Sequence, residues 1–174
     1  DSVPANNEKA TYADVSAPFV LPYLLAALAE DQAGSDPLVV QAAALLRDWD
    51  QQWRLGDDGN YGPAATVMEA WLKEFLIAAL RDDIGEDYFH LYSATNYPNS
   101  ALGPSIPNPP GVKALLRNLD ALAAGREADY DFVHGDNPAV KLRVSCARAL
   151  AELLTEPGAD LVARRLAPAP MRWQ

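Results

Sequence analysis

Any nucleophilic, general-base or metal chemistry in this chain would have to draw on a short inventory: His90, His134, the single cysteine Cys146, seven serines, and a run of acidic residues between Asp48 and Asn60. Neither histidine stands in an HxxxH or HExxH spacing, which would set two ligands on one helical face. Both therefore read as structural or surface residues. Asp48, Asp50, Asp57, Asp58 and Asn60 invite a calcium loop. Yet Trp49 and Trp53 interleave with the first of them, and no Glu closes the loop as an EF-hand requires. A solvated helix end followed by a turn is the simpler account. No serine lies in a G-x-S-x-G elbow, and Ser16 and Ser35 read as helix caps. Gly56, Gly59 and Gly62 follow a helix rather than a strand, so they make no phosphate-binding fingerprint. Trp49, Trp53 and Trp71 fall on apolar helical faces and read as core rather than as a stacking platform. No catalytic, cofactor-binding or metal-ligating residue is assigned on these patterns, and no cofactor is expected.

The composition narrows the setting of these residues. The chain has 174 residues, enough for one domain that buries roughly 70% of its unfolded surface. Ala (31) and Leu (23) dominate the apolar residues, whereas Val and Ile together number 14 and Phe 4, a balance that favours helix over strand. The formal net charge of −10 offers nothing to a phosphate backbone or an anionic lipid surface, so neither nucleic acid nor membrane is an expected partner. One cysteine excludes an internal disulfide. No apolar run reaches the roughly 18 residues of a membrane span. The first residue is Asp1, which reads as a cut end.

The positioning elements follow from caps, prolines and spacing. Ser16 caps a first short turn of helix, and Pro22 is expected to break it and open a second through Leu24, Leu25 and Leu28. Ser35-Asp36-Pro37 starts an amphipathic helix carrying Leu38, Ala42, Leu45, Trp49 and Trp53, stopped by Gly56. A loop over 56–62 leads to Pro63 and a helix with Val67, Trp71, Phe75, Leu76, Ala79 and Leu80 inward, ended by Gly85. These two helices suggest an antiparallel hairpin. Another helix is read from Glu86. Five prolines between Pro98 and Pro110 exclude a regular element and make a long crossover loop. A helix from Val112 stops at Gly125. Asn137-Pro138 then caps and starts a long helix reaching about Glu156, with Val140, Val144, Ala147, Leu150, Ala151 and Leu154 on its apolar face. A shorter helix is expected around 161–166. The expected architecture is all-α: one domain over 1–174, a compact orthogonal or antiparallel bundle of six to eight helices with that Pro-rich crossover.

In this order, Asp14-Val15-Ser16, Leu21-Pro22-Tyr23-Leu24-Leu25, Ala44-Leu45-Leu46-Arg47-Asp48-Trp49-Asp50 and Ala70-Trp71-Leu72 resemble the penicillin amidase family of N-terminal nucleophile hydrolases. The LLxxWD element is the most specific of these. The helix from Ser145 to Gly158 also looks like one that follows in the family's large chain. The resemblance covers the helical knob of that chain and not the αββα catalytic core. In the family a Ser begins the large chain, typically as Ser-Asn followed closely by Trp, and its α-amino group acts as the base. Here Ser2 is followed by Val3-Pro4, so no catalytic residue carries over.

The resemblance implies a hydrolase parent cleaving amide C–N bonds of acylated amines such as β-lactams, acyl-homoserine lactones or acylated peptides, in the periplasm or secreted. It also implies partners: the catalytic core and small chain of that parent, with this segment inactive alone. Apolar surface left by their removal is expected near Phe19 and Val20 and near Met171 to Trp173, with self-association of the excised segment through it. The alternative is a free-standing helical interaction module without enzymatic activity. A helical-bundle metal protein is the weakest of the three readings, because ligand-spaced His and Glu pairs are missing.

Overall fold

The computed structural model describes residues 13–14, 16–29, 36–92, 110–127, 137–155 and 160–167. Five helices are found there: α1 (Ala17–Ala29), α2 (Pro37–Arg47), α3 (Pro63–Tyr92), α4 (Pro110–Ala123) and α5 (Pro138–Leu153). Backbone pairing among the described residues is limited to isolated bridges, Ala13 with Gln52, Leu55 with Tyr61, and Tyr61 with Leu166. The all-α class expected from the Ala and Leu excess is the class observed. The Pro-rich crossover, Ser35 and His134 lie outside the described residues.

The core is organised around α3. Val67, Met68, Trp71, Leu72, Phe75, Leu76, Ala79 and Leu80 are all buried, a double row too wide for a surface helix. This width lets α3 pack against α2, α4 and α5. Gly85 takes φ 76° and ψ 161° inside α3, a region open almost only to glycine, and the helix kinks there. The kink is bridged by Arg81 Nε to Glu86 Oε2 at 2.7 Å. The expected stop at Gly85 is therefore a kink, after which the helix read from Glu86 turns Phe89 into the core.

Local signals placed most ends. Asp36 supplies the observed cap of α2, accepting from the Leu38 amide at 2.9 Å. Asn137 caps α5 through the Ala139 amide at 2.9 Å, with Pro138 at the first helical position. Gly125, at φ 64°, ends α4 in a Schellman motif: its amide donates to Leu122 O and that of Arg126 to Ala121 O.

Four expectations are corrected. Pro22 does not break α1, which runs through it. Pro22 is exposed, so only one solvent-side backbone bond is forfeited while Val20, Leu21, Leu24 and Leu28 bury the opposite face. Secondly, α2 stops at Arg47, short of Trp49 and Trp53. Gln51 adopts φ 59° and its carbonyl accepts from the Asp14 amide at 2.8 Å, so the chain leaves the helix to pair with the segment ahead of α1. Thirdly, residues 161–163 form a turn rather than a helix, and Leu166 pairs with Tyr61 instead.

The fourth correction concerns the face of α5. Leu142, Ser145, Cys146, Ala149 and Leu150 are buried, whereas Val140 and Val144 stay 43% and 44% exposed and Ala147 and Ala151 face solvent. Leu150 of the expected face is buried and Leu154 packs against the core, so the inward face is rotated toward Leu142, Cys146 and Ala149 rather than replaced. Ser145 lets α5 approach Trp71 closely enough to accept its indole hydrogen at 3.2 Å. Phe19 is 61% exposed as expected at the N-terminal end, but Val20 is only 1% exposed because it lies on the inward face of α1. Met171 to Trp173 lie outside the described residues.

Candidate functional site

Asp14 is a buried carboxylate just ahead of α1. Its Oδ1 accepts from the Ser16 amide at 2.7 Å, the Ser16 hydroxyl at 2.7 Å and the Ala17 amide at 2.9 Å. These partners satisfy donors that the first turn of α1 would otherwise leave open. Its Oδ2 accepts from Trp53 Nε1 at 2.9 Å. One carboxylate thus ties the start of α1 to the loop that follows α2. Ser16 is still the residue at the helix start, but its hydroxyl donates to Asp14, so the capping acceptor is Asp14.

Trp53 is the centre of a second, smaller core with Tyr61 and Ala65. Its ring meets Trp49 edge-on at a centroid distance of 5.8 Å and Tyr61 at 5.3 Å. Trp49 also packs against the main core, so it joins the two clusters. Trp71 lies on the inward face of α3 as expected, whereas Trp49 and Trp53 reach the core through the segment after α2 rather than along a helix face.

Several of the other candidate residues are engaged structurally. Asp50 accepts from the Gln52 amide at 3.0 Å and pairs with Arg54 at 3.1 Å. Asp58 accepts from the Asn60 amide at 3.0 Å and faces Arg165 at 3.7 Å. Ser145 donates to Leu142 O at 2.8 Å. His90 lies on α3 beyond the kink. Among the described residues, no three of His, Cys, Asp and Glu come together as a metal site. Tyr23 on α1 donates to Asp120 on α4, and this bond to a carboxylate holds the phenol above its ordinary range, with burial adding to the effect. Burial likewise raises the Glu69 carboxyl, partly offset by Lys73 one turn along α3.

Cys146 is buried on α5, and burial pushes its thiol from 9.0 up to about 12. The thiolate is the nucleophile, so this cysteine is inert in the folded protein. We expect a disulfide reagent at pH 8 to label it only after unfolding in urea; labelling of the native protein at the rate of a free thiol would contradict the packing. The pH consequence has a definite sign. The unfolded chain loses this proton above its ordinary 9.0 while the folded chain holds it to about 12. Between those values the folded state binds more protons, so this contribution falls as pH rises through the window.

Sequence reasoning noticed Asp14 only as part of a resemblance. The physical signal was present: an acceptor two residues ahead of a serine at a helix start is a capping pattern. Its second bond, to an indole 39 residues away, had no local trace.

Comparison with known proteins places these features in a family. A match to the penicillin amidase family spans residues 6–174. Among solved structures, a thermostable penicillin G acylase from Alcaligenes faecalis superposes with a TM-score of 0.72 and 25% sequence identity over 92% of this chain. This chain spans 30% of the length of that acylase chain. No curated protein gives a significant match.

Proposed function

Since the chain belongs to the penicillin amidase family, we propose that it is a non-catalytic helical segment of an acylase that hydrolyses amide C–N bonds of acylated amines, such as β-lactams, acyl-homoserine lactones or acylated peptides. Its role is to buttress the catalytic portion and shape access to its cleft. The observation that carries this reading is the disproportion in the comparison: nearly all of this chain aligns with less than a third of an acylase chain. The side chains support it. Asp14, Ser16 and Ser145 are spent on helix and indole contacts, and the Cys146 thiol is held protonated.

The test uses penicillin G as substrate and follows release of phenylacetic acid. The product of the longer gene is expected to hydrolyse it or another acylated amine, and the 174-residue chain to release nothing. Hydrolysis by the purified chain that survives Ser2→Ala would overturn the assignment, since no N-terminal nucleophile chemistry could then account for it.

A further inference from the structure

Helix α1 has no charged residue, and the Tyr23 hydroxyl is its one polar side-chain group. A helix that is apolar all round is normally covered all round. Here one side is covered: Ala17, Val20, Leu21, Leu24, Ala27 and Leu28 are buried where α1 packs against α2, α4 and α5. Pro18, Phe19, Pro22, Ala26 and Ala29 are exposed, Phe19 to 61%. With the α-helical repeat these five fall within about 100° of arc, so they form one continuous stripe. The other described helices each place a charged side chain at an exposed position: Arg47 on α2, Lys73 on α3, Arg117 on α4 and Arg148 on α5. Among the described helices, α1 alone leaves its outer face wholly apolar.

The stripe is also held in place. Asp14 caps the start of α1, Tyr23 donates to Asp120 on α4, and Arg143 on α5 donates to Ala27 O at 3.1 Å. These contacts fix the helix on the bundle, so the face is presented preformed. Its size decides the occupant. A stripe about 20 Å long and about 10 Å wide offers roughly 200 Å², well short of the roughly 800 Å² per partner of a standard protein complex. A second copy of the chain is therefore a poor fit. The net charge of −10 and the lack of any basic residue on α1 likewise disfavour an anionic lipid surface. A covalently continuous partner needs no such area, because its effective concentration is roughly millimolar. The comparison provides such a partner, since this chain spans only 30% of the acylase chain on which it superposes. We propose that the outer face of α1 docks this segment onto an apolar surface of the remaining acylase polypeptide; this rests on the function proposed above.

The test places a thiol on the stripe, in Ala26→Cys and separately in Ala29→Cys. Cys146 is buried and its thiol is held protonated, so maleimide modification at neutral pH reports the new thiol. Labelling is followed by mass spectrometry of the peptide that carries it, in the 174-residue chain and in the longer acylase polypeptide. In the short chain the thiol is expected to react as an exposed one does, at a rate independent of protein concentration. In the longer polypeptide it is expected to react about tenfold more slowly. Equal rates in the two proteins would overturn the proposal. Slow labelling of the short chain would do so too: a rate that falls with concentration assigns the face to a second copy, and a uniformly slow one to the chain's own residues. Both sites are exposed, and either decides the matter if the other variant misfolds. Hydrolysis is measured separately. An active acylase whose stripe labels freely refutes the docking alone, and a protected stripe in an inactive protein refutes the acylase reading alone.

Discussion

Asp14→Ala is expected to destabilise the helical unit by about 2–4 kcal/mol, read as a lowered urea midpoint with an unchanged slope. The substitution removes an acceptor that serves four donors. Two are backbone amides at the start of α1, where loss of a cap costs about 1 kcal/mol. A third is the indole N–H of Trp53, which is only 1% exposed and would be left buried without a partner at about 1–3 kcal/mol. Asp14→Asn separates these contributions. Its carbonyl oxygen can keep the helix cap, but its amide group meets Trp53 donor to donor, so the loss should be smaller and confined to the Trp53 contact. Adding Trp53→Phe to Asp14→Asn should then cost less than the two single changes summed, because the second removes the donor that the first stranded. Additive losses would show that the Asp14–Trp53 bond contributes little.

Trp71→Ala should be comparably severe, about 3–5 kcal/mol, since it empties a fully buried site at the meeting of α3 and α5. Trp71 stacks on Phe75 with ring centroids 5.5 Å apart and donates to Ser145 across the helix pair. Trp71→Phe keeps most of the volume and loses the donor. Ser145 retains Leu142 O as its own acceptor in that variant. The Phe variant should therefore lose far less than the Ala variant, and thermal unfolding of the two gives the comparison directly. A Trp71→Ala protein as stable as the parent would mean that α5 closes onto α3 without the indole.

Seen against these contacts, the sequence was legible where the controlling interaction was short. Asp36-Pro37 and Asn137-Pro138 announced the starts of α2 and α5 because a capping side chain bonds an amide two residues on. Gly125 announced the end of α4 because a left-handed residue is cheap only for glycine. The order of LLxxWD and the residues around it was enough to indicate the family. The same reasoning failed at Trp49 and Trp53. Their spacing continues the α2 stripe, yet the backbone turns away at Gln51 to pair with the segment holding Asp14. Periodicity records which residues are apolar, not whether the chain between them remains helical.

The sequence by itself determined the all-helical class, most helix boundaries and the family, since all three rest on residue types and close-range patterns. The tertiary structure alone decided how far the buried face of α5 is rotated from Val140 and Val144 toward Leu142 and Cys146, that α1 passes through Pro22, and that Asp14 clamps Trp53. Each of these is a choice between locally acceptable alternatives, and the deciding energy comes from partners distant in the chain: the shape of α3 against Ser145, the inward face of α1, and an indole donor that needs an acceptor.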